Sequence, residues 1–364
     1  MAAARILTAN VGSSSVKLRL VDGEDALAGS WDFEPDAPGE ELVAAAGEVD
    51  FEAVGHRFVH GGSRLREARL ATDDVREQLR CAVPLAPLHN RPALELLERL
   101  QRSLPDHPHV VCLDTAFHRT LPEEAAVYPI PWEWTERLGV RRYGFHGLSH
   151  AYAARRTAQL LDRPPEELRI VTCHLGSGAS LAAVKGGASV DTTMGFTPNE
   201  GLMMAKRSGS VGPGALLWVM REAGLWPEAA DQALEHDAGL AGVSGVSGDM
   251  REVLQAAEAG SERAALAIAV YVHRLRTSIA AMAGAMEGVD AICFTGGVGE
   301  HAPRVRAAAC AGLGFLGVEL DSAANGQGAG DRAIGTAKAA AATVVVTARE
   351  ELEMAAEVRR VLGA

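Results

Sequence analysis

Ile6-Leu-Thr-Ala-Asn-Val-Gly-Ser-Ser-Ser-Val-Lys17 reads as strand, tight turn and the start of a second strand. Arg5 to Asn10 is apolar and β-prone, Gly12 to Ser14 turns the chain, and Val16-Lys-Leu-Arg-Leu-Val21 alternates until Asp22-Gly23. The same grammar returns at Arg169-Ile-Val-Thr-Cys173, His174-Leu-Gly-Ser-Gly-Ala-Ser180 and Leu181-Ala-Ala-Val184, closed by Lys185-Gly186-Gly187. Two copies of one hairpin predict two related domains. In the first tip the small residues let backbone N–H groups approach an anion, and an extended chain puts Ser13, Ser15 and Lys17 on one face. Alone, the stretch reads more readily as an ordinary Gly-Ser turn. Paired with the loop from His174 to Gly178, it suits a nucleotide clamp between duplicated domains. Neither loop has the G-x-x-x-x-G-K-[ST] spacing of a Walker sequence.

Outward from these hairpins, Ala53 to Val59, His109 to Leu113 and Ala291 to Phe294 read as strands ending at polar or Gly-rich residues, where chemistry tends to sit. Helix-like segments cover Arg91 to Arg102, Ser149 to Leu161, Pro213 to Ala223 and Ala264 to Met286. The alternation predicts α/β layers. Ala323 to Gly330 reads as a mobile surface loop, and no tract is long enough to be a linker.

At 364 residues, 48% of them hydrophobic, the chain suits two cores of ordinary size. The formal charge of -12 argues against a nucleic-acid partner, which demands a basic surface. The stretch Ile6 to Val11 is too short for a secretory signal. Ala264 to Ala285 carries His273, Arg274 and Arg276 near its centre, costly in a bilayer, so no membrane span is expected. Five cysteines without a C-x-x-C pair suit a reducing cytoplasm. Of 35 basic residues only Lys17, Lys185, Lys206 and Lys338 are lysine, so a given arginine says little by itself.

Several residues are placed for chemistry. Asp114 ends Val110-Val-Cys-Leu-Asp114, where it can hold a metal, accept a proton or cap a helix. Arg57 lies in Gly55-His-Arg-Phe-Val-His-Gly-Gly62, where a guanidinium meets a carboxylate or phosphate bidentately or is a surface charge. His56 and His60 have helical metal spacing in a strand-like run and read as structural. Asp191 to Gly209 is too polar for a core and too rich in Met and Phe for a solvated loop, as functional segments often are. Arg207 in it is a candidate phosphate ligand or one more surface arginine. Thr295-Gly-Gly-Val-Gly-Glu-His301 matches the dinucleotide pattern formally, with Glu319 suitably spaced, but too little chain follows for a Rossmann unit. A glycine loop touching a base or ribose fits better than that unit, with a plain strand-to-helix turn as the remaining reading.

As a set, Ile6 to Lys17, Gly55 to Gly62, Ala86-Pro-Leu-His-Asn90, Asp114-Thr-Ala-Phe-His118, Arg142-Tyr-Gly-Phe-His-Gly-Leu-Ser-His150, Asp191 to Gly209, Gly245-Val-Ser-Gly-Asp-Met-Arg251, Phe294 to Glu300 and Glu350-Glu-Leu352 stand in the order of the acetate kinase family, which the chain resembles from Arg5 to near its end. The resemblance implies duplicated ribonuclease H-like, actin-like ATPase domains with a nucleotide cleft between them. Domain I would span residues 1–116 plus 352–364, and domain II residues 117–351. It implies Mg²⁺ (or Mn²⁺), ATP/ADP, a short-chain carboxylate such as acetate or propionate, and a homodimer. By the same resemblance Arg57 and Arg207 bind the acid and the transferring phosphoryl group. Asn10 and Glu350, with Asp114 nearby, hold the metal, and His146 stabilises the transition state. Val59, Leu88, Phe145 and Pro198 form the acyl pocket. Ser13, Ser15, Lys17, His174, Gly176, Ser177, Gly178, Asp249, Arg251, Gly297, Gly299 and His301 face the nucleotide.

Three departures gather on the nucleotide side. Ser177 replaces an amide, Ser210 follows Arg207-Ser-Gly in place of an acid, and His301 stands where the family has Asn. The stretch between Lys17 and Arg57 is also several tens of residues shorter than in the family. The rival readings are a relative using pyrophosphate and a nucleotide-binding regulator without efficient transfer. Arg57, Asp114, Arg207 and Glu350 together disfavour the regulator, which has no need of acceptor-side charge.

Overall fold

The computed structural model describes residues 4–12, 15–46 and 50–364, with the backbone alone at 45–46; Ser13 lies outside them. The chain divides into two compact units. Unit 1 comprises Met1–Arg119, Phe145–Tyr152 and Arg349–Ala364, and unit 2 comprises Thr120–Gly144 and Ala153–Ala348.

Each unit is built on one six-stranded sheet. In unit 1, β1 (Ile6–Val11), β2 (Val16–Val21) and β3 (Leu27–Phe33) form an antiparallel meander. β4 (Ala53–Phe58) and β6 (His109–Leu113) extend the sheet in parallel from β1, and the short β5 (Arg69–Leu70) closes its edge. The order is β3-β2-β1-β4-β6-β5. In unit 2, β7 (Arg169–Leu175), β8 (Ala179–Lys185) and β9 (Ala188–Thr192) repeat the meander. β10 (Ala291–Thr295) and β12 (Ala342–Val345) repeat the parallel extension, with β11 (Arg332–Ala333) antiparallel at the edge. Its order, β11-β12-β10-β7-β8-β9, is the first one over again.

Every residue of β6 and of β10 is buried, because parallel strands carry helices on both faces and so read as continuous apolar runs. In unit 1 the helix Pro87–Ser103 turns Leu96, Leu97 and Leu100 inward, and its Pro87 sits in the first turn, where a missing N–H costs nothing. The C-terminal helix Glu350–Leu362 packs on β1, β4 and β6. A Cβ at Gly55 would lie 2.9 Å from Val358, so the helix seats on β4 over that glycine. Buried Arg359 pins its far end by donating to Ala4 O at 2.8 Å, Asp22 O at 2.5 Å and Asp25 Oδ1 at 2.5 Å. Cys112, Cys173, Cys293 and Cys310 are buried thiols, and Cys81 is exposed.

Two expectations are corrected. Ala323 to Gly330 is not a loop throughout. Asp321 caps a short helix, Ser322–Gly326, by accepting from Ala323 and Ala324 N–H, and Asn325 is buried against Arg306. The third Gly-rich stretch is likewise no loop, because the helix Gly296–His301 follows β10 directly. The strand turns into the helix at Gly296, whose φ of 77° favours glycine. Among the described residues no helix is long and apolar enough to cross a membrane.

Candidate active site

In unit 1 the C-terminal ends of β1, β4 and β6 lie side by side. Ala9 is in register with His56 and Arg57 with Cys112, and Asp114 N–H donates to Phe58 O at 2.9 Å. Asn10, Arg57 and Asp114 therefore leave three adjacent strands at one end, where open α/β sheets bind ligands. The Arg57 guanidinium spans the group. Its Nε and Nη2 donate to the two carboxylate oxygens of Asp114 at 2.9 and 2.8 Å, and Nη1 pairs with Glu350 Oε2 at 2.8 Å. Asp114 is 2% exposed and Arg57 18%, so this arginine is no surface charge, and both oxygens of Asp114 are taken by a cation.

Electrostatics follow from this packing. Burial works against the Arg57 charge, but Asp114 and Glu350 outweigh it and hold the guanidinium above its ordinary pKa. Burial pushes the Glu350 carboxyl up, Arg57 opposes the shift, Asp114 adds to it, and Lys17 opposes it from β2. Lys17, itself exposed, thus lies within electrostatic reach of Glu350. It is held there by the hairpin register Asn10 opposite Lys17, with Gly12 N–H donating to Ser15 O at 2.8 Å across the tip.

The turn carrying Phe145 and His146 presses on the end of β6. Gly147 N–H donates to Asp114 O at 2.8 Å, and a Cβ there would come within 2.2 Å of that oxygen. His146 has φ 56°, a left-handed conformation that costs a non-glycine residue about 1–3 kcal/mol and persists where its surroundings enforce it. Phe145 is buried edge-on against His60 at 5.4 Å, and its carbonyl lies 3.0 Å from His118 Nε2. Val59 follows β4 half-buried, and Leu88 is 58% exposed in the first turn of its helix. Buried Asn90 escaped individual notice in the sequence. It accepts from His60 N–H and donates to His60 O, fixing the chain just beyond Arg57, and an amide at an inward helix position was its signal. His56 is structural, buried with Nε2 2.8 Å from His109 Nδ1.

Unit 2 builds its strand ends from backbone. The β7–β8 tip closes with Gly176 N–H donating to Gly178 O at 2.8 Å, leaving Ser177 exposed and His174 half-buried. Thr295 is in register with His174, so Gly296, and with it Gly297, Gly299 and exposed His301, follow β10 beside that tip. Ala205 N–H donates to Ser177 O at 3.1 Å, which lays the irregular segment bearing Arg207 on the same tip. A Cβ at Gly248 would lie 2.9 Å from Ala205 O, bringing Asp249 to that segment too. Asp249 caps the helix Met250–Glu258 and ion-pairs with exposed Arg251, whose hydrogen bonds hold the Asp249 carboxyl down to about 2. Arg207 is half-buried and its Nη1 donates to Pro198 O at 3.4 Å. Ser210 accepts from Gly201 N–H at 3.0 Å and its own N–H returns to Gly201 O, so the residue in place of the family's acid pins this segment. The third Gly-rich stretch is anchored by Arg306, which is fully buried and donates to Gly299 O, Glu300 O and Asn325.

Among the described residues no three His, Cys, Asp or Glu side chains converge as a metal cluster. Asp114 and Glu350 nevertheless meet at one guanidinium. Oxygen donors of that number suit Mg²⁺, which takes one or two protein carboxylates and completes its octahedron with water and phosphate oxygens. The donor set fits.

The Acetokinase family profile matches residues 40–356. The acetate kinase of Synechococcus sp. (strain JA-2-3B'a(2-13)) is 48% identical over 321 residues, 88% of this chain and 79% of that protein. The crystal structure of Porphyromonas gingivalis acetate kinase superposes with a TM-score of 0.92 at 35% identity, covering 99% of this chain and 100% of that one. A propionate kinase from Francisella tularensis subsp. tularensis SCHU S4 superposes with a TM-score of 0.89 at 32% identity, covering 97% and 98%. With a profile match over most of its length, close relatives of nearly its whole span and two sheets of one repeated order, this chain belongs to the acetate kinase family.

Proposed function

We propose that the chain moves the γ-phosphoryl group of ATP reversibly to acetate or propionate, giving the acyl phosphate and ADP. The observation that carries this reading is the Arg57 guanidinium gripping Asp114 and Glu350 at the ends of three parallel strands. A carboxylate oxygen of the acid attacks phosphorus in line while the bond to the bridging oxygen breaks, and that electron pair leaves on ADP. Such a transfer needs little covalent help, but positioning and positive charge on the equatorial oxygens are essential. Arg57 binds the acid's carboxylate, Arg207 the transferring phosphoryl group, and His146 donates to its oxygens. Val59, Leu88, Phe145 and Pro198 enclose the short acyl chain.

Asn10, Asp114 and Glu350 hold Mg²⁺, which when bound neutralises charge on the phosphates. The backbone N–H groups of Ser177 and Gly178 take phosphate from a tip that Gly176 closes, a role shared by Ser15, Lys17 and His174, and Asp249, Arg251, Gly297, Gly299 and His301 meet the nucleoside. The enzyme acts in the cytoplasm, a setting its five free cysteines suit. It works as a homodimer, a reading that exposed Leu217, Trp218 and Trp226 favour. Acyl-hydroxamate formation with ATP, GTP or pyrophosphate against formate, acetate, propionate and butyrate tests the proposal. Product with ATP and acetate or propionate is expected; no product with any pair points to a regulator instead.

A further inference from the structure

The segment from Thr193 to Ser210 carries Pro198 and Arg207 yet contains no helix or strand, so something else must fix its shape. Within unit 2 a side-chain clamp does so. Arg142 donates from Nη1 to Thr193 O at 3.1 Å and to Met194 O at 3.2 Å, and from Nη2 to Glu200 Oε1 at 2.8 Å. The Tyr128 hydroxyl donates to the other oxygen, Glu200 Oε2, and accepts from Phe196 N–H at 2.9 Å. The Arg142 guanidinium lies over the Tyr128 ring, 5.4 Å from its centroid. Burial and the Glu200 contact raise the Tyr128 pKa, which keeps the hydroxyl a donor.

The clamp leaves no spare room. A Cβ at Gly195 would lie 1.7 Å from Glu200 Oε2 and 1.9 Å from the Tyr128 hydroxyl, while Gly195 O accepts from Tyr143 N–H at 3.0 Å. Glu200 is thus tied at both oxygens, two residues after the carbonyl that receives Arg207 and one before Gly201, which exchanges hydrogen bonds with Ser210. We propose that Glu200, gripped by Arg142 and Tyr128, is a positioning residue that fixes the Pro198 carbonyl and through it the Arg207 guanidinium. It touches no reacting group. This inference rests on the reading that Arg207 acts on the transferring phosphoryl group, and it adds the device that aims it. Displacing a charged group by about 1 Å commonly costs on the order of 10²-fold in rate.

The test compares Glu200→Ala, Glu200→Gln and Tyr128→Phe by hydroxamate assay, alone and combined with Arg207→Ala. Glu200→Ala is expected to lower kcat about tenfold to a hundredfold and to raise KM for the acid, with KM for ATP within about twofold. Glu200→Gln, whose amide oxygen still accepts from Arg142 while its NH₂ can only donate toward the Tyr128 hydroxyl, recovers part of that loss, and Tyr128→Phe likewise falls between Glu200→Ala and the unsubstituted protein. In the Arg207→Ala background Glu200→Ala adds nothing, since its effect travels through that guanidinium. Normal kcat in Glu200→Ala, or a loss that multiplies with that of Arg207→Ala, overturns the positioning role. Should Glu200→Ala fail to fold, the same comparison is read from Glu200→Gln and Tyr128→Phe. Full activity of Arg207→Ala itself instead removes the role proposed for Arg207, so the two failures are told apart.

Discussion

The two sheets have the same strand order but end in different kinds of chemistry. At the ends of β1, β4 and β6 the groups are side chains, locked by ion pairs to Arg57 and largely shielded from water. At the ends of β7 and β10 they are mostly backbone, offered by glycines and a three-residue tip, with exposed Ser177 and His301 at the margin. A buried carboxylate pair tolerates almost no substitution, because each charge depends on its partner. A backbone cradle keeps its N–H groups whatever side chain it carries. The family departures at Ser177 and His301 fall on the tolerant side, where a change of side chain leaves the loop standing, while Ser210 uses its own hydroxyl to accept from Gly201 N–H in the irregular segment.

The largest effect that tests this contrast is Arg57→Ala. It strands Asp114 and Glu350 without their cation and is expected to lower kcat/KM by about 10³-fold and stability by about 3–5 kcal/mol. Arg207→Ala, in the irregular segment of unit 2, should lose turnover by about 10²- to 10³-fold with an unchanged melting temperature. Equal thermal losses in the two variants would erase the distinction. Next comes Arg306→Ala, which leaves the Gly299, Glu300 and Asn325 acceptors buried and unpaired. Burial holds this guanidinium down to about 10, and these acceptors are neutral carbonyl oxygens of backbone and amide. Urea unfolding should show a loss of about 3 kcal/mol, and a loss under 1 would mean that the anchor is dispensable.

A smaller effect, placed in unit 1, depends on pH. Burial, with Glu353 next, pushes the Glu357 carboxyl on the C-terminal helix from 4.5 up to about 7. Its folded form binds a proton more tightly than the unfolded chain, so its contribution is fully present below about pH 4.5 and is lost as pH rises through about 7. Glu357→Gln should therefore stabilise the protein at pH 8 by about 1–3 kcal/mol and change little at pH 4.5. Equal shifts at both pH values would contradict that account. The smallest expected effect is Ser177→Asn, which restores the family's amide at an exposed tip whose backbone is already set. KM for ATP should move less than about tenfold and kcat hardly at all, since the change alters ground-state contacts at the rim. A collapse of kcat would show the tip side chain to be part of the chemistry.

Local grammar alone carried much of this. Turn residues and β-prone stretches located both hairpins, and strand-like runs ending at polar or Gly-rich residues located β4, β6 and β10, because these are properties of neighbours in the chain. The repeat of the hairpin already implied two related domains. Asp114 and Arg57 could be marked as strand-end residues but not paired, since 57 residues separate them and only the β4–β6 register brings them within 2.8 Å. Ala323 to Gly330 misled for the converse reason: its glycines suggest a loop, while the helix at its start is secured by Asp321 and by the distant Arg306. Thus the sequence by itself determined the elements, the duplication and the residue types of the site. Tertiary structure decided which charges meet, why Glu200 matters and where Arg306 is needed, because burial and long-range partnership set the energy of a polar group and neither is written in its neighbours.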